Sequence, residues 1–121
     1  LDGKLDEPAW AAAPLATAFR QVDPAQGMPP VGATEVRVLY DAANLYIGAI
    51  CRDPRGDADL RVPDLLRDFE PENHDVFAVA LDTVNDRRTS VNFQVNPYGA
   101  LRDVQAFDDE LFDRQWDAVW S

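Results

Sequence analysis

From Thr34 onward the chain alternates. Val36, Val38 and Tyr40 fall on one parity and Glu35, Arg37 and Leu39 on the other, the period of two expected of a half-buried strand. Asp41-Ala42-Ala43-Asn44 has turn chemistry, and Leu45 to Cys51 is apolar on both parities, which predicts a strand deep in a sheet and a hairpin joining the two segments. Strand character returns over Asp75 to Thr83, with Phe77, Val79 and Leu81 on one face and Val76, Ala78 and Ala80 on the other. Beyond the turn-like Asn85-Asp86-Arg87-Arg88, Val91, Phe93 and Val95 mark a buried face opposite a row of amides, Asn92, Gln94 and Asn96. Asn96-Pro97-Tyr98-Gly99 reverses the chain, Leu101 to Phe107 returns as a further strand, and after Asp108-Asp109-Glu110 the segment Trp116 to Trp120 reads as a last strand with both indoles and Ala118 on one face.

Between these strands the chain is irregular. Residues 1–33 hold most of the prolines (Pro8, Pro14, Pro24, Pro29 and Pro30) and read as a wrapping segment with short helical or extended pieces. Residues 53–74 are rich in acids and broken by Pro54, Pro63 and Pro71, which predicts a long loop with one helical turn near Asp64 to Arg67. Short strands about ten residues apart argue an all-β fold, an antiparallel β-sandwich; the absence of crossover helices removes the parallel α/β class. At 121 residues the chain is expected to be a single domain spanning 1–121, with strands and loops over 34–121. No internal repeat or low-complexity run is visible.

Composition narrows the chemistry. Eleven Lys plus Arg stand against twenty-two Asp plus Glu, a formal charge of −11, so a nucleic-acid partner is not expected. One Cys, one Met and one His exclude an internal disulfide and the thiolate and imidazole metal sites. Cys51 is expected to be buried in a central strand and inert. No stretch approaches the ~18 apolar residues of a membrane span, and the beginning lacks the order of a signal peptide. The start at Leu1 rather than Met suggests an excised or mature piece of a longer protein.

Four stretches are more specific than composition: Leu1 to Trp10 (LDGKLDEPAW), Thr34 to Asp41 (TEVRVLYD) followed by Leu45-Tyr46-Ile47-Gly48, Asp75 to Asp82 (DVFAVALD), and Phe93 to Ala100 (FQVNPYGA). Together they resemble the carbohydrate-binding modules of family nine, above all the family-nine-like module at the N-terminal end of large bacterial secreted or outer-membrane proteins. The resemblance implies a sandwich of the jelly-roll or immunoglobulin-like kind, incomplete at the C-terminus, to be closed by further strands after Ser121 or by a second chain. It also implies a location in the periplasm, in the outer membrane or outside the cell, and a role in carrying a parent enzyme or envelope protein to a glycan.

A sugar-binding face needs an aromatic ring to stack on a pyranose and planar polar groups to bond its hydroxyls. Asn92, Gln94 and Asn96, beside the small Ala78 and Ala80, are the candidate polar floor, against the plainer reading of an outer sheet face turned to water. Sugar-binding relatives place a stacking Trp where Glu72 stands here, an acid where Ala78 stands and an Arg where Gln94 stands; the Asn at Asn96 is kept, and Glu72, at the position of that Trp, is counted among the candidate sugar-binding residues. Phe69, Tyr98 or Trp116 are then the candidate platforms, although Trp116 and Trp120 also fit as core anchors, and Trp10 as the residue packing the N-terminal segment onto a sheet edge. His74 is a candidate general base, weighed against a structural role. No catalytic residue is assigned and no cofactor is required; structural calcium, which some family members hold, stays open in the acidic 53–74 loop. Two other classes compete: a structural or interaction domain of a larger outer-membrane protein, and part of a glycoside hydrolase acting through two of the many carboxylates.

Overall fold

The computed structural model describes residues 3–108 and 110–121. Leu1 and Asp2 of the opening motif and Asp109 of the expected acidic turn lie outside the described residues. Among the described residues the class is all-β: two antiparallel sheets, one of three strands and one of four, with a single five-residue α-helix. The sheets fall in two compact units, one running to Ala58 and the other covering Asp59–Ser121.

In the first unit, helix α1 (Pro8–Ala12) begins on a proline, whose fixed φ suits the first helical position, and runs through alanines. Ala13 closes it by donating to the carbonyls of Ala9 and Trp10 before Pro14. Strands β1 (Leu15–Ala16), β2 (Thr34–Tyr40) and β3 (Leu45–Cys51) follow in the order β1-β2-β3. Arg37 pairs with Gly48 across the β2–β3 ladder. A Cβ on Gly48 would lie 2.6 Å from Leu5 and 3.1 Å from the ring of Trp10, so the missing side chain is what lets the buried indole lie on this sheet. Trp10 therefore anchors the N-terminal segment on the face of β3, at one edge of this sheet.

This unit corrects three expectations. Leu39 and Arg37 are half-buried on the Gly48 side, while Val38 and Tyr40, expected inside, are exposed. Strand β3 is an edge strand with one hydrogen-bonded neighbour, and Gly48 is its one buried residue. Cys51, expected in a central strand, is exposed at the end of this edge. The hairpin itself is as expected, and Asp41 holds it: Oδ1 accepts the N–H groups of Ala43 and Asn44, both at 2.8 Å, and Tyr46 donates its hydroxyl to Oδ2 at 2.8 Å.

The second unit is a meander, β4 (Phe77–Leu81), β5 (Thr89–Val95), β6 (Leu101–Phe107) and β7 (Leu111–Asp113), each strand beside the next. The register pairs Val79 with Phe93 and Phe93 with Asp103, and in the adjacent row Ala78 with Gln94 and Gln94 with Arg102. Phe77, Val79 and Leu81 are more buried than Ala78 and Ala80, as the alternation predicts. Asp82 and Asp86 tie the β4–β5 connection by accepting the N–H groups of Arg87, Arg88 and Thr89 at 2.8 Å. The helical turn expected at Asp64 to Arg67 is absent; short 3-10 turns lie instead at Asp57–Asp59 and Pro71–Asn73. Trp116 to Trp120 is not a strand, since pairing with β6 is taken by Leu111–Asp113. Its indoles meet Phe93 edge-on, with ring centroids at 6.1 and 5.0 Å, which is the core-anchor role.

The hydrogen bond from Ala43, then those from Tyr46 and Asn44, lower the Asp41 carboxyl to about 2. A depressed folded-state value means that its contribution is complete above the unfolded value near 4 and is lost as pH falls through about 2. In an NMR pH titration the Asp41 carboxyl should therefore titrate near pH 2, and amide exchange at Ala43 and Asn44 should quicken over the same interval. An Asp41 midpoint near 4 would remove the carboxylate from the turn.

Candidate functional site

Polar groups of the second unit gather on both faces of β5 and β6, and the turn between these strands decides which group goes where. Asn96 is 3% exposed. Its Oδ1 accepts the N–H groups of Tyr98 and Ala100 at 3.0 and 2.9 Å, its backbone N–H bonds to the Ala100 carbonyl at 3.1 Å, and Gly99 takes the positive φ of 87° that closes the turn. With Oδ1 engaged as acceptor, Nδ2 is the donor, and it reaches the Asp64 carbonyl and His74 Nδ1, both at 3.4 Å. Asn96 is thus a buried turn organiser. It is removed from the candidate sugar-binding floor, because its polar atoms are engaged inside the unit.

His74 is fixed by the same bond. In the neutral ring Nδ1 accepts from Asn96 and Nε2 carries the hydrogen, facing Asp64 Oδ2 at 3.7 Å, and Phe69 lies against the imidazole with centroids 4.5 Å apart. In this tautomer neither ring nitrogen keeps a free lone pair, so the structure favours the structural role over a general base. Phe69, 3% exposed, is likewise removed as a platform. A cavity of about 220 Å³ beside them is lined by Pro63, Asp64, Arg67, Phe69 and His74 among others, and its lining includes no Ser, Thr or Cys.

On the Phe93 face of the sheet, Asp103 is 1% exposed. Arg67 Nη2 donates to Asp103 Oδ1 at 2.9 Å and also to Asp117, and Ala118 N–H donates to Asp103 Oδ2. One buried carboxylate thereby ties the 60s loop and the tryptophan segment to strand β6. The Arg67 guanidinium is held protonated first by its bond to Asp117.

The opposite face carries the row Ala78, Gln94, Arg102, flanked by Ala80, Asn92, Val104. Arg102 Nη1 donates to Gln94 Oε1 at 3.0 Å, and Asn92 Nδ2 donates to Ser90 at 3.1 Å. Ala78 and Ala80 are exposed, Asn92 and Gln94 half-buried, and Arg102 and Val104 buried, so the row deepens from the outer strand β4 towards β6. This corrects the picture of an amide face lying open to water.

Of the remaining candidates, Glu72 is exposed on the Pro71–Asn73 turn and Tyr98 is 66% exposed at the β5–β6 turn, whereas Trp116 is half-buried against Phe93 and serves the core. Three acids of the 53–74 loop have separate partners: Asp53 binds Arg55, Asp64 accepts from Leu66 N–H, and Glu70 faces Arg114. Among the described residues no group of three His, Cys, Asp or Glu side chains is placed to hold a metal ion. The chain matches no family model, no curated protein and no solved structure. Sequence reasoning missed Arg67, Arg102 and Asp103. The signal was present in β6, where one parity reads Leu101, Asp103, Gln105, Phe107 and the other Arg102, Val104, Ala106, a charge in each otherwise strand-like row.

Replacing Asp103 with Asn weakens a charge-assisted bond to Arg67 and the bond to Ala118 N–H, and should cost about 2 kcal/mol in denaturant unfolding. Asp117→Asn, at an exposed carboxylate, should leave the midpoint almost unchanged. Equal effects of the two substitutions would show that burial of Asp103 does not decide the strength of this tie.

Proposed function

We propose that this chain is a non-catalytic glycan-binding module of the family-nine kind, and that it meets its ligand on the Ala78–Gln94–Arg102 face of the four-stranded sheet. The observation that carries the reading is the hydrogen bond between Gln94 and Arg102, which orients two planar polar groups side by side next to two exposed alanines. Planar amide and guanidinium groups are suited to the hydroxyls at the rim of a sugar, and alanines leave a pyranose room to approach. Asn92 contributes a carbonyl oxygen to the same face, and Tyr98 is the exposed ring among the aromatic candidates. The Arg that sugar-binding relatives place at the position of Gln94 has a counterpart here one strand away, in Arg102. Glu72 has no role in this reading.

Binding is favoured over hydrolysis because Asp103 and Asp117, two carboxylates brought to one place, are both engaged by the Arg67 guanidinium. The competing reading, an interaction domain without sugar affinity, draws on the exposed Leu111 and Phe112 of β7.

A glycan panel followed by titration calorimetry should give saturable binding to at least one oligosaccharide. The Asn92→Ala, Gln94→Ala pair should weaken it at least tenfold, or about 1.4 kcal/mol. Absence of saturable binding to any glycan would overturn the reading, and binding indifferent to the pair would remove this face as the site.

A further inference from the structure

We infer that the row ending on Arg102 receives a carboxylate, so that the glycan bound by this module is an acidic one carrying uronic acid residues; the inference rests on the glycan-binding reading above. Ten arginines are present in the chain. Arg37, Arg52, Arg55, Arg67, Arg88 and Arg114 each stand within ion-pair distance of a carboxylate. Of the other four, Arg20, Arg61 and Arg87 are exposed to water, which solvates their charge. Arg102 differs: it is 8% exposed, it always carries its charge, and its partner is the neutral oxygen of Gln94. A largely buried cation with no carboxylate partner among the described residues gains from an incoming anion.

The surroundings point the same way. Arginine accepts no hydrogen bond, so the Gln94 atom facing it is necessarily the carbonyl oxygen, and the Gln94 amide donors are turned away from it. Among the described residues, Arg102 Nε and Nη2 are not among the buried side-chain atoms left without a partner, so they stay within reach of an incoming group. The face therefore holds a surplus of donors around one positive charge. In a chain with twice as many acids as bases, the paired positions on this face from β4 to β6 (Ala78, Ala80, Ser90, Asn92, Gln94, Arg102, and Val104 with Ala106) include no Asp or Glu. Ala78, at the other end of the same row beyond Gln94, and Ala80 are exposed. A planar carboxylate matches the guanidinium fork, and the hydroxyls of the same sugar can accept from the Gln94 amide. The formal charge of −11 opposes distant anions, but physiological salt screens that field within about 8 Å, leaving the local guanidinium to decide the bound state.

The test is calorimetric titration of the whole chain with tri-galacturonate, its methyl ester and tri-glutamate. Tri-galacturonate should bind, and both the ester, which lacks only the charges, and tri-glutamate should bind at least tenfold more weakly. Gln94→Glu is the decisive variant. It gives Arg102 an internal carboxylate, so it should keep or raise the thermal midpoint while weakening tri-galacturonate binding at least tenfold. Ester binding as tight as that of the acid would overturn the carboxylate inference and leave the glycan reading standing. Tri-glutamate binding as tight as tri-galacturonate would overturn the acidic-sugar assignment in favour of a protein carboxylate. Tri-galacturonate binding unaffected by Gln94→Glu would overturn the site, and failure of every glycan, neutral or acidic, would overturn the reading beneath it.

Discussion

The pairing of β5 with β6 is the constraint on which the second unit depends, and Asn96 sets it. Side chains on a strand alternate between faces, so a slip of one residue would exchange every side chain of β6 between the two faces. Asn96 opposes such a slip by accepting the N–H groups of Tyr98 and Ala100, which fixes the number of residues in the turn. Its amide nitrogen is in turn held by the Asp64 carbonyl and His74. The residue is inside the protein because the turn needs its oxygen in a fixed place.

From that register follow two environments of opposite character. Asp103 comes to the face of Phe93, where a buried anion meets Arg67 and the backbone of Ala118, and the tryptophan segment is held against the sheet. Arg102, its chain neighbour, comes to the other face, where, among the described residues, the guanidinium donates to the Gln94 amide oxygen. One charge is satisfied within the unit and the other is satisfied in part. Had the register placed the two on one face, or had Gln94 been an acid, the cation would have an internal partner and the face would offer nothing to an anion.

The all-β class, the hairpin at Asp41, the bounds of Leu101–Phe107 and the inward set Phe77, Val79 and Leu81 were legible because alternation and turn chemistry are local properties. What escaped was set by contacts distant in sequence. Val38 and Tyr40 satisfy the alternation rule yet are exposed, because Gly48, across the ladder from Arg37, gives Trp10 a place on the other face. Cys51 lies in an apolar run that suggests burial, but strand order makes β3 an edge. Asn96 continues the period of Asn92 and Gln94, and only the turn geometry takes it out of their company. Arg102 was overlooked because a charged residue in a strand ordinarily faces water.

The register itself is open to direct measurement by cross-strand nuclear Overhauser contacts in the isotopically labelled protein. Backbone contacts across the ladder should centre on Gln94 with Arg102 and on Asn92 with Val104. Contacts centred instead on Gln94 with Asp103 or Leu101 would mean that the strands are paired one residue away from this arrangement, which would separate the guanidinium from the amide and contradict the account.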